Sequence, residues 1–538
     1  MAAACSWLSV PGGSHVFHQG DPSDSIYVVV SGVLGAYLTD QPGGGRLLRR
    51  IGAGEILGEI GFITGEPRAA TVKALRNCEL LRVSHDELRK LAHQNPTVLM
   101  ELCSTVIRRL RDTEEQRGDG RLHPKTMCIV PHDAGLDIRT FAEHIATALG
   151  GGRRPVVLCK EDSEGKTAEW FFQREQGSGL VVYLAEPDEG AWTRFCRRQA
   201  DSIVLLARGD AQPQPFSALG PDGGALPSDI PADLVLLWDR TISRSKTADW
   251  LKAIKPRAHH HVRTAADAAR AARLITGHSV GLVLSGGGAR GLAHVGVVRA
   301  LQEHGVQFDV IGGTSMGAII GAGLALEWDL SAMVAHCMEG FLGRPKLRDF
   351  GLPRSALFPG GRVRRLFDEW FGDVAIEETP VKYFCVSTNL SNGTLSVHDT
   401  GSLATWVQAS AAIPGVFPPV LDEGTVHVDG GVLDNLPTDA MRQFGVGSII
   451  AVNVGIEDEL VAHGKPPNML ELLWRVGTIG SDSKVGSELR KCDVLLVPKV
   501  QHIHLLNWRA YEQAMEAGYR AAIERLSDFD LIARRASG

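Results

Sequence analysis

No two of the nine cysteines in this 538-residue chain stand at CxxC spacing, and their number is odd. A disulfide framework and a cysteine-rich zinc site are therefore not expected. Basic excess is missing too. Lys and Arg number 56 against 62 Asp and Glu, and the formal charge of −6 argues against a nucleic-acid partner. No stretch approaches the ~20 apolar residues of a membrane span. The nearest, Val310 to Leu326, is interrupted by Gly312, Gly313, Thr314 and Ser315 and reads as strand, turn and helix. The N-terminus, MAAACSWLSVPGGSH, has neither a basic region nor a long apolar run, so no signal peptide is expected. These absences predict a cytoplasmic protein that meets membranes only from outside, at their periphery. Repeats and heptads are also missing.

What remains is ordinary globular material. Hydrophobic residues at 44% and charged residues at 22% exclude a disordered chain. The length suits three or four domains at about 150 residues each. The predicted division is residues 1–112, a linker at 113–125, residues 126–262, a connecting helix at 263–279, and residues 280–538. The first segment opens with short strands, Ile26–Val30 and Val33–Leu38, split by Ser31-Gly32. A helix follows Asp86, and another is expected from Thr97 to Arg111. The second segment alternates buried-type strands with helices, the pattern of a parallel α/β sheet. Its insertion Asp210–Ala232, with five prolines, is expected to be a surface loop. The third segment, from 280, also alternates strand and helix.

In the first segment, Gly58-Glu59-Ile60-Gly61 leads through a short turn to Arg68-Ala69-Ala70-Thr71. A turn offers N–H groups, Arg68 a fixed cation and Glu59 an acceptor. A cyclic phosphate wants the first two and a ribose hydroxyl the third. With Gln19-Gly20-Asp21 and the Tyr27–Gly32 hairpin, this resembles a cyclic nucleotide-binding β jelly roll. The resemblance implies Glu59 on the ribose, Arg68 on the phosphate, and Ala69 and Ala70 beside them. Alanine at 69, where cGMP-selective members often carry threonine, favours cAMP. An inert roll is the alternative.

The second segment carries Gly165-Lys166-Thr167, the end of a P-loop motif. The motif needs a glycine where Lys160 stands, so a degenerate nucleoside-triphosphatase-like fold without hydrolysis is expected. His259-His260-His261 alternate faces of a strand and are not read as a metal site. No metal is expected anywhere, and no catalytic cofactor.

Three elements of the third segment carry chemistry. Ser285-Gly286-Gly287-Gly288-Ala289-Arg290-Gly291 follows the strand Val280–Leu284 and precedes a helix. A dinucleotide site would want an acid at the end of the second strand, but Asp309 stands at its start. Gly313-Thr314-Ser315-Met316-Gly317 is a GxSxG between strand and helix, the context of an exposed nucleophile. Val428-Asp429-Gly430-Gly431 offers a carboxylate at a strand end, able to serve as base if burial keeps it basic. The order GGGxRG, GxSxG, DGG, with Ala409-Ser410-Ala411-Ala412-Ile413-Pro414-Gly415 before the aspartate, resembles the patatin-like phospholipases. The preceding segments narrow that to the neuropathy target esterase branch.

The resemblance implies a Ser–Asp dyad of Ser315 and Asp429. It implies an oxyanion hole of Gly286, Gly287 and Gly288 with Arg290 nearby. The activity implied is hydrolysis of lysophospholipid or phospholipid acyl esters, with a cyclic nucleotide as regulator. A Ser–His–Asp triad through His294 or His427 is the competing mechanism. A cyclic-nucleotide-responsive scaffold with a silent hydrolase domain is the competing function.

Overall fold

The computed structural model describes residues 5–38, 46–94, 97, 104, 124–149, 155–219, 230–239, 242, 244–343, 356, 360–455, 480–481 and 492–536. The expected helix Thr97–Arg111 and linker 113–125 lie almost wholly outside them. The chain forms two compact units. One comprises residues 1–119, 123–238 and 250–268, and the other 120–122, 239–249 and 269–538.

Alternation of apolar and polar residues in the first strands gives each one buried face. They pair into two antiparallel four-stranded sheets. One has the order Cys5–Val10, Cys78–Ser84, Ser25–Ser31, Ile56–Leu57. The other has the order His15–Phe17, Thr71–Ala74, Leu34–Leu38, Arg46–Ile51. Val29, Leu34, Leu57 and Leu80 fill the space between them, the jelly-roll arrangement expected.

The same unit holds a six-stranded parallel sheet in the order Val156–Leu158, Val181–Leu184, Thr126–Pro131, Ser202–Arg208, Ala232–Leu237, Ala258–Val262. Its central strands are buried along their length, as helices on both faces require. Lys166 does not follow a strand. It lies between the helices Lys160–Ser163 and Ala168–Gly177, with Thr167 capping the second, so no phosphate cradle forms there. His260 pairs with Asp233 at 3.3 Å, and His261 accepts from Trp238 Nε1 at 2.9 Å. Burial would raise the Asp233 pKa, but His260 and Arg257 hold it at about 2. Residues 220–229 of the expected surface loop lie outside the described residues, and residues 210–219 depart from it in part. Phe216 and Ala218 are buried, with the Phe216 ring against His132 and Trp250. A polar, proline-rich average concealed that short apolar plug.

Roll and parallel sheet are joined by Arg76, which is buried and pairs with Glu175 at 2.9 Å and Asp201 at 3.3 Å. Burial opposes its charge, but the two carboxylates outweigh that and raise its pKa.

The second unit is built on a mixed sheet in the order Val420–Asp422, Thr425–Asp429, Lys382–Asn389, Val310–Gly313, Val280–Leu284, Ser448–Val452, Val494–Leu496, with Thr394–His398 also pairing with Lys382–Asn389. Five neighbouring strands, from Lys382–Asn389 to Val494–Leu496, are parallel. Their carboxyl ends therefore lie together. Asp309, at the opposite end, is fully buried and held by Arg273 at 2.6 Å and by the Val280 amide at 2.9 Å. It is a structural ion pair rather than a ribose ligand.

Candidate active site

Two parallel strands deliver two of the three elements. Val280–Leu284 ends at the glycine loop and Val310–Gly313 ends at Ser315. The third comes antiparallel: Asp429 pairs in register with Ser387, near the carboxyl end of Lys382–Asn389. Opposite strand directions thus bring Ser315 and Asp429 to one end of the sheet, where open α/β sheets place their ligands.

Ser315 is turned sharply, with φ 54° and ψ −119°, directly before the helix Met316–Ala325. A non-glycine residue at positive φ costs of order 1–3 kcal/mol and persists only if its surroundings enforce it. Here they do. The Ser315 amide donates to Ser410 Oγ at 3.0 Å, and Thr314 Oγ1 donates to the Asp434 carbonyl at 3.1 Å. Glycine at 317 is required because a Cβ there would lie 2.1 Å from the Leu284 carbonyl oxygen. The helix behind is apolar on all sides and wholly buried, which fixes the elbow.

Asp429 is fully buried. Its amide donates to the Ala412 carbonyl at 3.0 Å, and its Oδ1 accepts from the Gly431 amide at 2.8 Å. Oδ2 completes no hydrogen bond among the described residues. Burial drives the pKa up to about 7, against the lowering effects of the Ser315 hydroxyl and the Gly431 amide. The carboxylate therefore faces the serine with basicity close to that of an imidazole.

The glycine loop is not uniform. The Gly286 amide donates to Asn435, to its Oδ1 at 3.1 Å and its carbonyl at 3.3 Å. A Cβ at 286 would lie 3.0 Å from Ser315 Cβ, so this residue abuts the serine. Gly287 and Gly288 donate to no described group. Gly288 takes φ +53°, and a Cβ there would sit 2.3 Å from the Leu505 carbonyl oxygen. Arg290 turns its Nε to the Ile503 carbonyl.

Both histidines of the competing triad have other company. His294 is fully buried, directs Nε2 to the Ser285 carbonyl at 2.9 Å, and is pushed down to about 4 by burial. His427 pairs with Ser387 Oγ at 2.9 Å and Thr425 Oγ1 at 2.9 Å. Ser387 Oγ also meets His398 at 2.7 Å, and that ring stacks on Trp406 at 3.8 Å. Burial, with His427 beside it, lowers His398 to about 3. Burial likewise lowers the pKa of His427.

In the roll, Glu59 is buried in the first turn of the helix Glu59–Thr64. Arg68 is only 4% exposed, with its guanidinium over Phe17 at 4.2 Å. Its Nη2 reaches Ser25 Oγ at 3.4 Å and Asp24 at 3.6 Å, while Nε and Nη1 have no hydrogen-bond partner. Burial lowers its pKa. Beside the Asp24 ion pair, two donors of this buried guanidinium stay uncommitted among the described residues. Ala69 is exposed and Ala70 half-buried beside it.

The motifs in the sequence do not single out Asn435, Ser410 or Ser387. Ser410 lies in the Ala409–Gly415 stretch that precedes the aspartate. Ser387 carries no local signal, because only strand pairing brings it beside Asp429.

Three family descriptions match this chain: a patatin-like phospholipase over residues 282–442, a cyclic nucleotide-binding domain over 7–95, and a neuropathy target esterase family P-loop like domain over 158–283. An uncharacterized NTE family protein of Mycobacterium tuberculosis is 30% identical over 95% of this chain and 90% of its own length. Lysophospholipase NTE1 of Mycosarcoma maydis is 28% identical over 100% of this chain and 34% of its own. Neuropathy target esterase sws of Drosophila melanogaster is 29% identical over 85% of this chain and 36% of its own. Among solved structures, the cAMP-bound regulatory domain of Toxoplasma gondii PKA is 27% identical, covering 19% of this chain and 40% of that one at a TM-score of 0.18.

Proposed function

The chain belongs to the neuropathy target esterase (NTE) family of patatin-like phospholipases, and from that premise we propose that it is a serine esterase of lysophospholipid or phospholipid acyl chains working through a Ser315–Asp429 dyad. The observation that carries this is the strained, buried serine facing a carboxyl whose pKa is raised to about 7. In this mechanism Ser315 Oγ attacks the ester carbonyl and its proton passes to Asp429. The oxyanion is held by the Gly287 and Gly288 amides, the two loop donors left uncommitted. Gly286, engaged by Asn435, shapes the loop, and Arg290 braces it through Ile503. Asp429 then gives its proton to the leaving alcohol. Water attacks the acyl-enzyme with Asp429 again as base. Each oxyanion donor of this kind is worth roughly 3–4 kcal/mol.

The substrate would be met at a lipid surface. No helix among the described residues is long and apolar enough to cross a membrane. Leu390 and Leu421, 53% and 75% exposed, flank Val426 in a cross-strand row past the carboxyl end of Lys382–Asn389. Val497 and Leu506, also exposed, lie on the segment following Val494–Leu496. All four belong to the end of the sheet that carries Ser315. The roll is read as a cyclic-nucleotide regulator, with Arg68 taking the phosphate and Glu59 the ribose. A fluorophosphonate probe tests the central reading. It should label the wild type and not Ser315→Ala, and lysophospholipid should release fatty acid only where labelling occurs. An unlabelled wild type would favour the silent scaffold.

A further inference from the structure

Where the roll meets the parallel sheet, a cavity of about 330 Å³ opens beside the Arg76 link. Lys73 of the strand Thr71–Ala74 forms one wall, and Arg194, Arg197 and Arg198 of the helix Ala191–Gln199 form the other. Glu189 is the single carboxylate in the lining. The cations come from both walls, and the three guanidinium groups pair with no carboxylate among the described residues. The Arg194 guanidinium donates only to the Glu189 carbonyl among the described residues, and Arg197 Nη1 to the Ala218 carbonyl at 3.0 Å. Arg197 Nε is buried without a partner. The Arg198 side chain makes no described hydrogen bond, although its carbonyl accepts from the Asn77 amide at 3.3 Å.

Unneutralised guanidinium groups repel one another and gain from a shared polyvalent anion, which they bind in bidentate fashion. Leu75 and Ile230 add an apolar part to the lining. The volume falls in the range of small-molecule sites. Neither Glu59 nor Arg68 lines this cavity, so it is distinct from the cyclic-nucleotide cassette. We propose that this groove binds a soluble phosphorylated small molecule with two or more negative charges, which ties the roll to the α/β layer through contacts with both. The walls are already held by the Arg76 ion pairs and the Asn77–Arg198 hydrogen bond, so the site needs little rearrangement.

The test titrates the full chain with ATP, inorganic tripolyphosphate and adenosine. ATP and tripolyphosphate should bind saturably and adenosine should not, with affinity falling as salt rises. Arg194 and Arg198 are exposed, so a double Arg194→Glu, Arg198→Glu variant should fold. It should lose at least tenfold in affinity for both polyanions and lose the rise in melting temperature that ATP gives the wild type. Arg68→Ala should keep tripolyphosphate binding. The proposal is overturned by no saturable polyanion binding at millimolar concentration. It is overturned equally by unchanged affinity in the double variant, or by loss of binding in Arg68→Ala, which would put the anion in the cassette. Charge-dependent binding to phosphatidylcholine vesicles containing phosphatidic acid, with none to tripolyphosphate, would also overturn it in favour of a lipid headgroup.

Discussion

Replacing Asp429 by asparagine should abolish turnover and strengthen the fold at the same time. Asp429 is fully buried, and its pKa rises from 3.8 to about 7, chiefly through burial. At ~1.36 kcal/mol for each power of ten, ionising it inside the fold costs about 4 kcal/mol more than in the unfolded chain. Because the folded pKa is the higher one, the fold binds the proton more tightly than the unfolded chain does. The wild type is thus at no disadvantage below about pH 4. It loses stability as pH climbs from there to about 7, and the loss is complete above. Asparagine carries no charge and escapes that loss. Thermal melts of the two proteins should coincide near pH 4, diverge up to pH 7 and stay apart by several degrees at pH 8, with the variant higher. Over the same window wild-type kcat/KM should rise with unit slope through about pH 7, because only the carboxylate accepts the serine proton. A stability difference that ignores pH, or a variant melting lower at pH 8, would refute the desolvated carboxylate. Turnover by Asp429→Asn above about one per cent of wild type would refute its role as base.

Ser315→Ala should reduce esterase activity below about one per cent with the melting temperature little changed, since the elbow accepts a smaller side chain; full activity would point to another nucleophile. Calorimetry on the full chain should find cAMP bound more tightly than cGMP, because Ala69 has no hydroxyl for the guanine amino group. Arg68→Ala should weaken cAMP binding roughly ten- to hundredfold, as losing a charge-assisted contact of about 1.5–3 kcal/mol requires; no heat at millimolar cAMP would leave the roll inert. Arg273→Ala should cost about 3–5 kcal/mol in denaturant unfolding by stranding buried Asp309, whereas Arg273→Met with Asp309→Asn, which keeps an acceptor for the Val280 amide, should recover most of it. Equal losses in the single and double variants would contradict the ion-pair account.

Much of this molecule was legible along the chain because its signals are local. A glycine-rich turn after an apolar strand, a GxSxG before an apolar helix, and a missing glycine at Lys160 are read within a dozen residues. Each reflects a backbone requirement that only certain residues meet. Ser315, Asp429, Glu59 and Arg68 could be singled out for that reason, along with the jelly-roll and α/β patterns. Tertiary structure decided what depends on distant partners. Strand order brings Asp429 beside Ser387, and burial from every side raises its pKa; neither leaves a mark in VDGG. Asn435 claims the Gly286 amide from 149 residues away, which distinguishes that amide from the two beside it. Spacing alone left His294 and His427 open, and only packing shows that His294 Nε2 meets the Ser285 carbonyl and that His427 meets Ser387 and Thr425. The apolar plug at Phe216 was hidden by its proline-rich setting. The cationic groove needed two segments more than a hundred residues apart to come together. Sequence carries the backbone's local demands, while charge, basicity and pairing belong to the three-dimensional surroundings that distant residues supply.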